Sequence, residues 1–221
     1  MIAARAGPIP RVARLVVRAL LGRLFRLRLE GAPPAAGPYV LIANHQGWAD
    51  PFVLIALLPA EPRIHFMGDR QAVRSHWWKR AAIAAVGGLV LIDRTVALDR
   101  SAIAEALRVL EGGGVLALFP EGRVSRREAD LGPFERGSGW LAFRARTPVV
   151  PVWLRGTAEL YLGRELEVSV GPARMPPEGP ATKAAIDAFT QQLEADVAAL
   201  ARPWTEPAGA TKRWRWLTDI L

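Results

Sequence analysis

The sequence predicts an α/β domain with a mostly parallel central sheet flanked by helices, preceded by a basic amphipathic helix. Three observations carry this. Short, continuous apolar runs recur along the chain, the pattern of strands buried on both faces. Segments of helical periodicity separate them, as in a layered α/β domain. Finally, 51 % of the 221 residues are hydrophobic, which suits one good core in a chain too short to demand two.

The elements follow in order. Ile9, Ala13, Val16, Val17, Leu20, Leu24 and Leu27 recur at helical spacing, while Arg11, Arg14, Arg18 and Arg26 gather on another side. Such a helix either beds its apolar face at a lipid interface or packs on the domain with solvated arginines. Gly31-Ala32-Pro33-Pro34 ends it, and Ala36-Gly37-Pro38 leads into the first strand. Strands are expected over 39–44, 63–67, 88–92, 115–119, 149–154 and 165–170. Helices are expected over 51–58, 70–86 and 99–111 and near 137–146. Ile186, Phe189, Leu193, Val197 and Leu200 mark a final helix. Pro151 has no N–H to give to a ladder, so its strand is expected at a sheet edge or bulged. The chain thus divides into an interfacial helix over 1–30, the α/β domain over 31–203 and a basic aromatic tail over 204–221.

Composition narrows the classes. The chain has no cysteine, which excludes disulfides, thiolate metal sites and a thiol nucleophile and fits a reducing compartment. Three histidines (His45, His65, His76) make a histidine-rich metal site unexpected, and His65 and His76 read as structural. Lys+Arg 29 against Asp+Glu 21 leaves a formal charge of +8, a field that favours polyanions of any kind. Neither a clean secretory signal nor an apolar run long enough to span a bilayer is present. The tail, Thr211 to Leu217, interleaves basic and indole groups that suit acidic lipid headgroups, stacked bases or an unstructured terminus.

Chemistry concentrates at strand ends, where open α/β sheets bind ligands. Asn44-His45-Gln46-Gly47-Trp48-Ala49-Asp50-Pro51 follows the first apolar strand. An ordinary imidazole titrates near ~6.5 and can take a hydroxyl proton at neutral pH. A carboxylate on its other nitrogen would fix the tautomer and stabilise the imidazolium. Asp50 supplies one if the Gln46-Gly47 pair turns the chain, and Asp50-Pro51 also has the form of a helix N-cap. Glu121-Gly122-Arg123 follows another strand. There the glycine admits a ligand close to the backbone, and Arg123 offers a forked donor for phosphate. Asp93-Arg94 ends a third strand, Arg126 and Arg127 can add charge, and Glu121 is expected to order the arginines. Gly112-Gly113-Gly114 precedes a strand and so reads as a turn, and neither a nucleophile elbow nor a phosphate loop is present.

With these residues in place, the chain resembles the PlsC-type glycerolipid acyltransferases, the family of 1-acylglycerol-3-phosphate acyltransferase. The resemblance covers about residues 40–155 and rests on four blocks in the family's order. Asn-His-x4-Asp matches Asn44, His45 and Asp50, and Gly-x-x-x-Ile-Asp-Arg matches Gly88, Ile92, Asp93 and Arg94. Phe-Pro-Glu-Gly matches Phe119 to Gly122, and Val-Pro-Val matches Val150 to Val152. The likeness implies acyl transfer from acyl-CoA or acyl-carrier protein to a lysophospholipid hydroxyl, without a metal, cofactor or covalent enzyme intermediate. It implies His45 as general base and Asp50 as its partner. Arg94, Glu121, Gly122 and Arg123 would form the phosphate site, and Pro151 would belong to the acyl groove. Two positions depart from the family: Gly47 where many members have serine, and Arg123-Val124-Ser125 for the common Thr-Arg-Ser.

The expectation is therefore a monotopic acyltransferase on the cytoplasmic face of an anionic membrane. Its acceptor is 1-acylglycerol-3-phosphate or another lysolipid such as lyso-ornithine lipid. A non-catalytic lipid-binding protein on the same scaffold is the alternative. No nucleic-acid partner is expected, since that reading rests on charge and the tail alone.

Overall fold

A computed structural model describes residues 7–71, 81, 83–85, 87–96, 99–205 and 211–219. Seven strands form one sheet: β1 (Arg26–Glu30), β2 (Tyr39–Ala43), β3 (Ile64–Asp69), β4 (Gly88–Ile92), β5 (Val115–Leu118), β6 (Val149–Arg155) and β7 (Glu165–Val170). Among the described residues, the α-helices with defined bounds are α1 (Pro8–Leu24), α2 (Asp50–Leu57), α3 (Arg100–Glu111), α4 (Gly137–Ala145) and α5 (Lys183–Ala199). The strand order is β1-β7-β6-β2-β5-β3-β4. Only β6 and β7 pair antiparallel, so β2 to β6 share one direction while β7 and β1 run the other way. The mostly parallel sheet is as expected.

Alternation along each strand builds two cores. Leu41, Val150, Val152 and Leu154 face α2 and the end of α1, with Leu54, Leu58 and Phe25. Val40, Ile42, Val149 and Trp153 face α3, α4 and α5, packing with Val109, Leu141 and Leu193. Helix α2 is buried on every side, because it lies between the sheet and α1, and its apolar sequence after Asp50 follows from that position.

Several expectations change. The N-terminal helix ends at Leu24, and Leu27 lies in strand β1, which pairs with β7. Residues 26–30 mix arginine and leucine, and their pairing partner lies far along the chain, so local periodicity read them as helix. Ala13, Val17, Leu21 and Leu24 turn inward, whereas Ile9, Val12, Val16 and Leu20 are 51–73 % exposed. Of the arginines, Arg11, Arg18 and Arg26 are exposed, as a helix packed on the domain would have them, and Arg14 is half-buried. Arg14 donates to the Ile55 and Leu58 carbonyls at the end of α2, and Arg11 pairs with Glu61.

Pro151 is not on an edge strand, because β6 runs between β7 and β2. It is tolerated because the β6–β7 ladder starts only at Val152↔Val170, and the Pro151 carbonyl accepts from Gly171 N at 2.9 Å. Beyond it Val149 bridges Arg174, so three residues oppose two and the facing segment is bulged. Gly112 to Gly114 form the turn between α3 and β5. Most of the helix expected over 70–86, with His76, lies outside the described residues, and those described within it, 70, 71, 81 and 83–85, are helical.

The tail is docked where it is described. Leu217 is buried in the core beside α2, and Trp48 Nε1 donates to its carbonyl at 3.0 Å. Thr218 exchanges hydrogen bonds with the Leu160 backbone, and Glu159 pairs with Lys212 and Arg215. An unstructured terminus is excluded for these residues, although Trp214 and Trp216 remain exposed.

Candidate active site

Strands β2 and β5 are neighbours in the sheet, so the loops after them meet. His45 lies just beyond β2. Its Nδ1 is 2.6 Å from Asp50 Oδ2, and the same oxygen accepts the N–H of Gln46 at 2.7 Å and of Gly47 at 3.0 Å. An oxygen already receiving two N–H donors is an acceptor, so Nδ1 carries the proton and Nε2 keeps its lone pair. The imidazole also stacks on Phe119 with ring centroids 4.2 Å apart. Two independent contacts therefore set the ring, whose side chain is 21 % exposed.

Asp50 is fully buried. It does not cap α2: it is the first helical residue, its side chain makes no cap bond, and Oδ1 has no hydrogen-bond partner among the described residues. The carboxylate turns back to the loop because three donors converge there, outweighing a single capping bond.

The turn between them depends on Gly47. A Cβ at that position would stand 2.5 Å from the Thr157 carbonyl oxygen, inside contact distance. The serine usual in the resembling family does not fit this backbone, and the departure at Gly47 has a steric cause. Gly88 is similar, since a Cβ there would enter the His65 ring. His65 is buried, and burial with nearby Arg63 lowers its pKa. It stays neutral and structural, as expected.

Glu121 does something other than order arginines. Its Oε1 accepts the His45 backbone N–H at 2.8 Å, and its Oε2 accepts from Gly132 N at 2.7 Å. Burial pushes its carboxyl above the usual glutamate range, against those two donors, which pull it down. With Ser125 N donating to the His45 carbonyl at 2.8 Å, both backbone groups of the histidine are held by the loop after β5. Glu121 is thus a backbone anchor of the His45 loop.

Arg94 reaches from the end of β4 to the Gly122 carbonyl at 3.0 Å and pairs with Glu135. Gly122 has φ +68°, and a Cβ on it would fall 2.7 Å from the Arg94 guanidinium. Glycine is favoured there because the backbone is left-handed, whereas the Arg94 guanidinium is the far end of a flexible side chain and can give way. Arg123 is exposed and has no hydrogen bond or ion pair with another described residue. It is available to an anion. Asp93 turns away, bonded to Thr95. Pro151 is not brought to this group: opposite Ile42 in the ladder, it is buried beside Gly171.

Sequence reading missed three supports. Asn44 zips the end of β2 to β6, donating to the Leu154 carbonyl at 2.9 Å and accepting from Leu154 N at 2.6 Å. Phe119 is the platform under the imidazole, and Gly132 is the second donor to Glu121. A polar residue directly after an apolar strand was a signal for Asn44, but its partner 110 residues away was not legible. Among the described residues no three His, Asp or Glu side chains gather where they could hold a metal ion.

A histidine held by a buried aspartate, beside a glycine turn braced by Arg94, matches the blocks described above. A family model, Acyltransferase, matches residues 26–155. This chain belongs to the acyltransferase family. Its likeness to the PlsC-type glycerolipid acyltransferases therefore stands. It is 29 % identical over 170 residues to 1-acyl-sn-glycerol-3-phosphate acyltransferase alpha of Homo sapiens, covering 75 % of this chain and 57 % of that protein. It is 30 % identical to the Bos taurus protein of the same name, over 73 % of this chain and 55 % of that one. The chain spans little more than half the length of these relatives. The crystal structure of the 1-acyl-sn-glycerophosphate acyltransferase PlsC from Thermotoga maritima matches with a TM-score of 0.65 at 18 % identity, over 89 % of this chain and 81 % of that one. That likeness supports the fold.

Proposed function

We propose that this acyltransferase moves an acyl group from acyl-CoA or acyl-carrier protein to the hydroxyl of a lysophospholipid. The favoured acceptor is 1-acylglycerol-3-phosphate, giving phosphatidic acid. The observation that carries the reading is the His45 Nδ1–Asp50 Oδ2 bond of 2.6 Å beside the unpaired Arg123. The relatives' names support the acceptor. Lyso-ornithine lipid or lysophosphatidylethanolamine would use the same site.

The reaction needs no group beyond the two substrates. His45 Nε2 takes the proton of the acceptor hydroxyl as its oxygen attacks the thioester carbonyl. Asp50 stabilises the imidazolium that forms. The tetrahedral intermediate collapses by breaking the C–S bond, and the imidazolium returns the proton to the leaving thiolate. The products are an ester and a free thiol. Arg123 holds the acceptor's phosphate, with Gly122 admitting it close to the backbone and Arg94 fixing that turn. Pro151 acts only indirectly in this reading, by shaping the strand beside the acyl chain.

The enzyme works at the cytoplasmic face of an anionic membrane. No described helix is long and apolar enough to cross one. Support comes from the outer stripe of α1, where Ile9, Val12, Val16 and Leu20 are exposed on one face, a pattern suited to a lipid interface. Deleting the segment through residue 28 would remove part of β1 and buried Leu21 and Phe25, so it cannot test this cleanly. Val12→Gln with Val16→Gln spares the inner face. It should lower co-sedimentation with anionic vesicles while the melting temperature holds, and unchanged sedimentation removes α1 from the interface.

The deciding assay offers acyl-CoA and acyl-carrier protein with a panel of lysolipids and reads thiol release and product mass. Ester formation with a phosphate-bearing lysolipid is expected. Absence of any ester product across the panel refutes the proposal.

A further inference from the structure

The loop from Gly122 to Leu131 carries Arg123, yet little apolar surface holds it. Arg123, Val124, Arg126, Arg127, Ala129 and Asp130 are all exposed. Arg126 and Ala129 adopt left-handed backbone, with φ 55° and 59°. Non-glycine residues persist there only where surroundings over-determine the conformation. Ser125 N already ties the near end of this loop to the His45 carbonyl, and between the two left-handed residues a second fastening lies at Glu128.

Glu128 pairs with Arg164, which is 2 % exposed, and its other oxygen accepts the Gly156 N–H at 3.1 Å. Arg164 Nε closes the ring by donating to the Gly156 carbonyl at 2.7 Å. Trp204 covers the guanidinium, 4.1 Å from its ring centroid, so water is kept from Arg164, while Glu128 is half-buried. A buried ion pair contributes little net stability against a well-packed apolar contact, and its attested use is to fix one geometry over others. Gly156 ends the β6 segment whose next residue, Thr157, abuts Gly47. The loop bearing Arg123 and the loop bearing His45 are thereby referred to the same backbone point.

We infer that the Arg164–Glu128 pair is a positioning device for the acceptor site, setting Arg123 at the distance from His45 that a phosphate-bearing acceptor needs. Neither residue belongs to the four motif blocks. The inference rests on the proposed function, since it assigns Arg123 to the acceptor's phosphate.

The test is a double-mutant cycle. Glu128→Gln keeps the side chain's size and loses its charge, and Arg164→Lys keeps the charge and loses the fork. Each should raise the acceptor KM about tenfold with a smaller change in kcat, the mark of lost binding common to ground and transition states. Arg123→Ala should raise KM similarly. Combined with Glu128→Gln it should be no worse than Arg123→Ala alone, because the pair acts through that arginine. A merely structural role predicts multiplied effects, or a fall in kcat with KM unmoved, and either result overturns the inference. Should Arg164→Lys fail to fold, the Glu128→Gln cycle decides alone. A wild type that binds lysophosphatidate without transferring acyl refutes the proposed catalysis only, with Kd then replacing KM in the same cycle. A wild type that does neither overturns both.

Discussion

Two loops meet at the site, and they are held by opposite means. The loop from His45 to Asp50 closes on itself, with one aspartate oxygen receiving three nitrogens from within six residues. The loop from Glu121 to Glu135 is tied internally from Gly132 N to Glu121, and takes other restraints from distant residues, among them Arg94, Arg164, Gly156 and the His45 backbone 76 positions away. The first is built to hold an imidazole in one orientation. The second is built to be placed against it. Changes to the first should therefore act on the chemical step, and changes to the second on acceptor binding and on stability.

The largest expected effect tests the self-contained loop. His45→Ala should lower kcat by about 10³-fold, the scale of a lost general base, while the thermal unfolding midpoint moves little because the ring is partly exposed. Turnover within tenfold of wild type would remove His45 from the chemistry and dissolve the contrast. Next comes the point where the loop touches the rest of the molecule. Gly47→Ser should cost about 1–3 kcal/mol of stability, as overpacking does, since its Cβ would press on the Thr157 carbonyl. A serine variant as stable as wild type in urea would show that this backbone yields and that the steric account is wrong.

Glu121 sharpens the comparison through pH. Its pKa is raised on folding, mainly by burial, so the folded state binds the proton more tightly than the unfolded chain. This contribution to stability is fully present below the ordinary glutamate range and is lost as pH rises through the raised folded value. Glu121→Gln should remove that slope, leaving the difference from wild type pH-dependent above the ordinary range and flat below it. Parallel urea midpoints for the two proteins across pH 4 to 8 would contradict the burial. The smallest effect belongs to the docked tail. Trp48→Phe removes the donor to the Leu217 carbonyl and should cost about 0.5–1.5 kcal/mol. A larger loss of activity than of stability would show that the tail acts on the His45 loop and does not merely cover it.

The same division explains what was legible beforehand. The strands over 39–43, 88–92 and 115–118, and the histidine and aspartate between them, stood out because continuous apolar runs and a fixed spacing are local signals. Strand β1 did not, since Arg26 to Glu30 extends only through pairing with β7 far along the chain. Pro151 was assigned to an edge from its missing donor, whereas the sheet tolerates it inside because the facing ladder stops one residue earlier. Asp50 carried the form of a helix cap, and convergence of three donors on one oxygen decided against it. Glu121 was read as a partner of arginines from its neighbours in sequence, and its bonds go to backbone N–H groups instead.

By itself, then, the sequence determined the layered α/β class, the histidine with its neighbouring carboxylate and the glycine turn beside an arginine. Each follows from periodicity or from residues only a few positions apart. Tertiary structure alone decided which face of α1 stays outside, what anchors Glu121 and how Arg164 and Glu128 fasten the loop bearing Arg123. Those outcomes depend on hydrogen bonds and burial between residues tens of positions apart, where the energy comes from chain segments meeting and leaves no mark in local spacing.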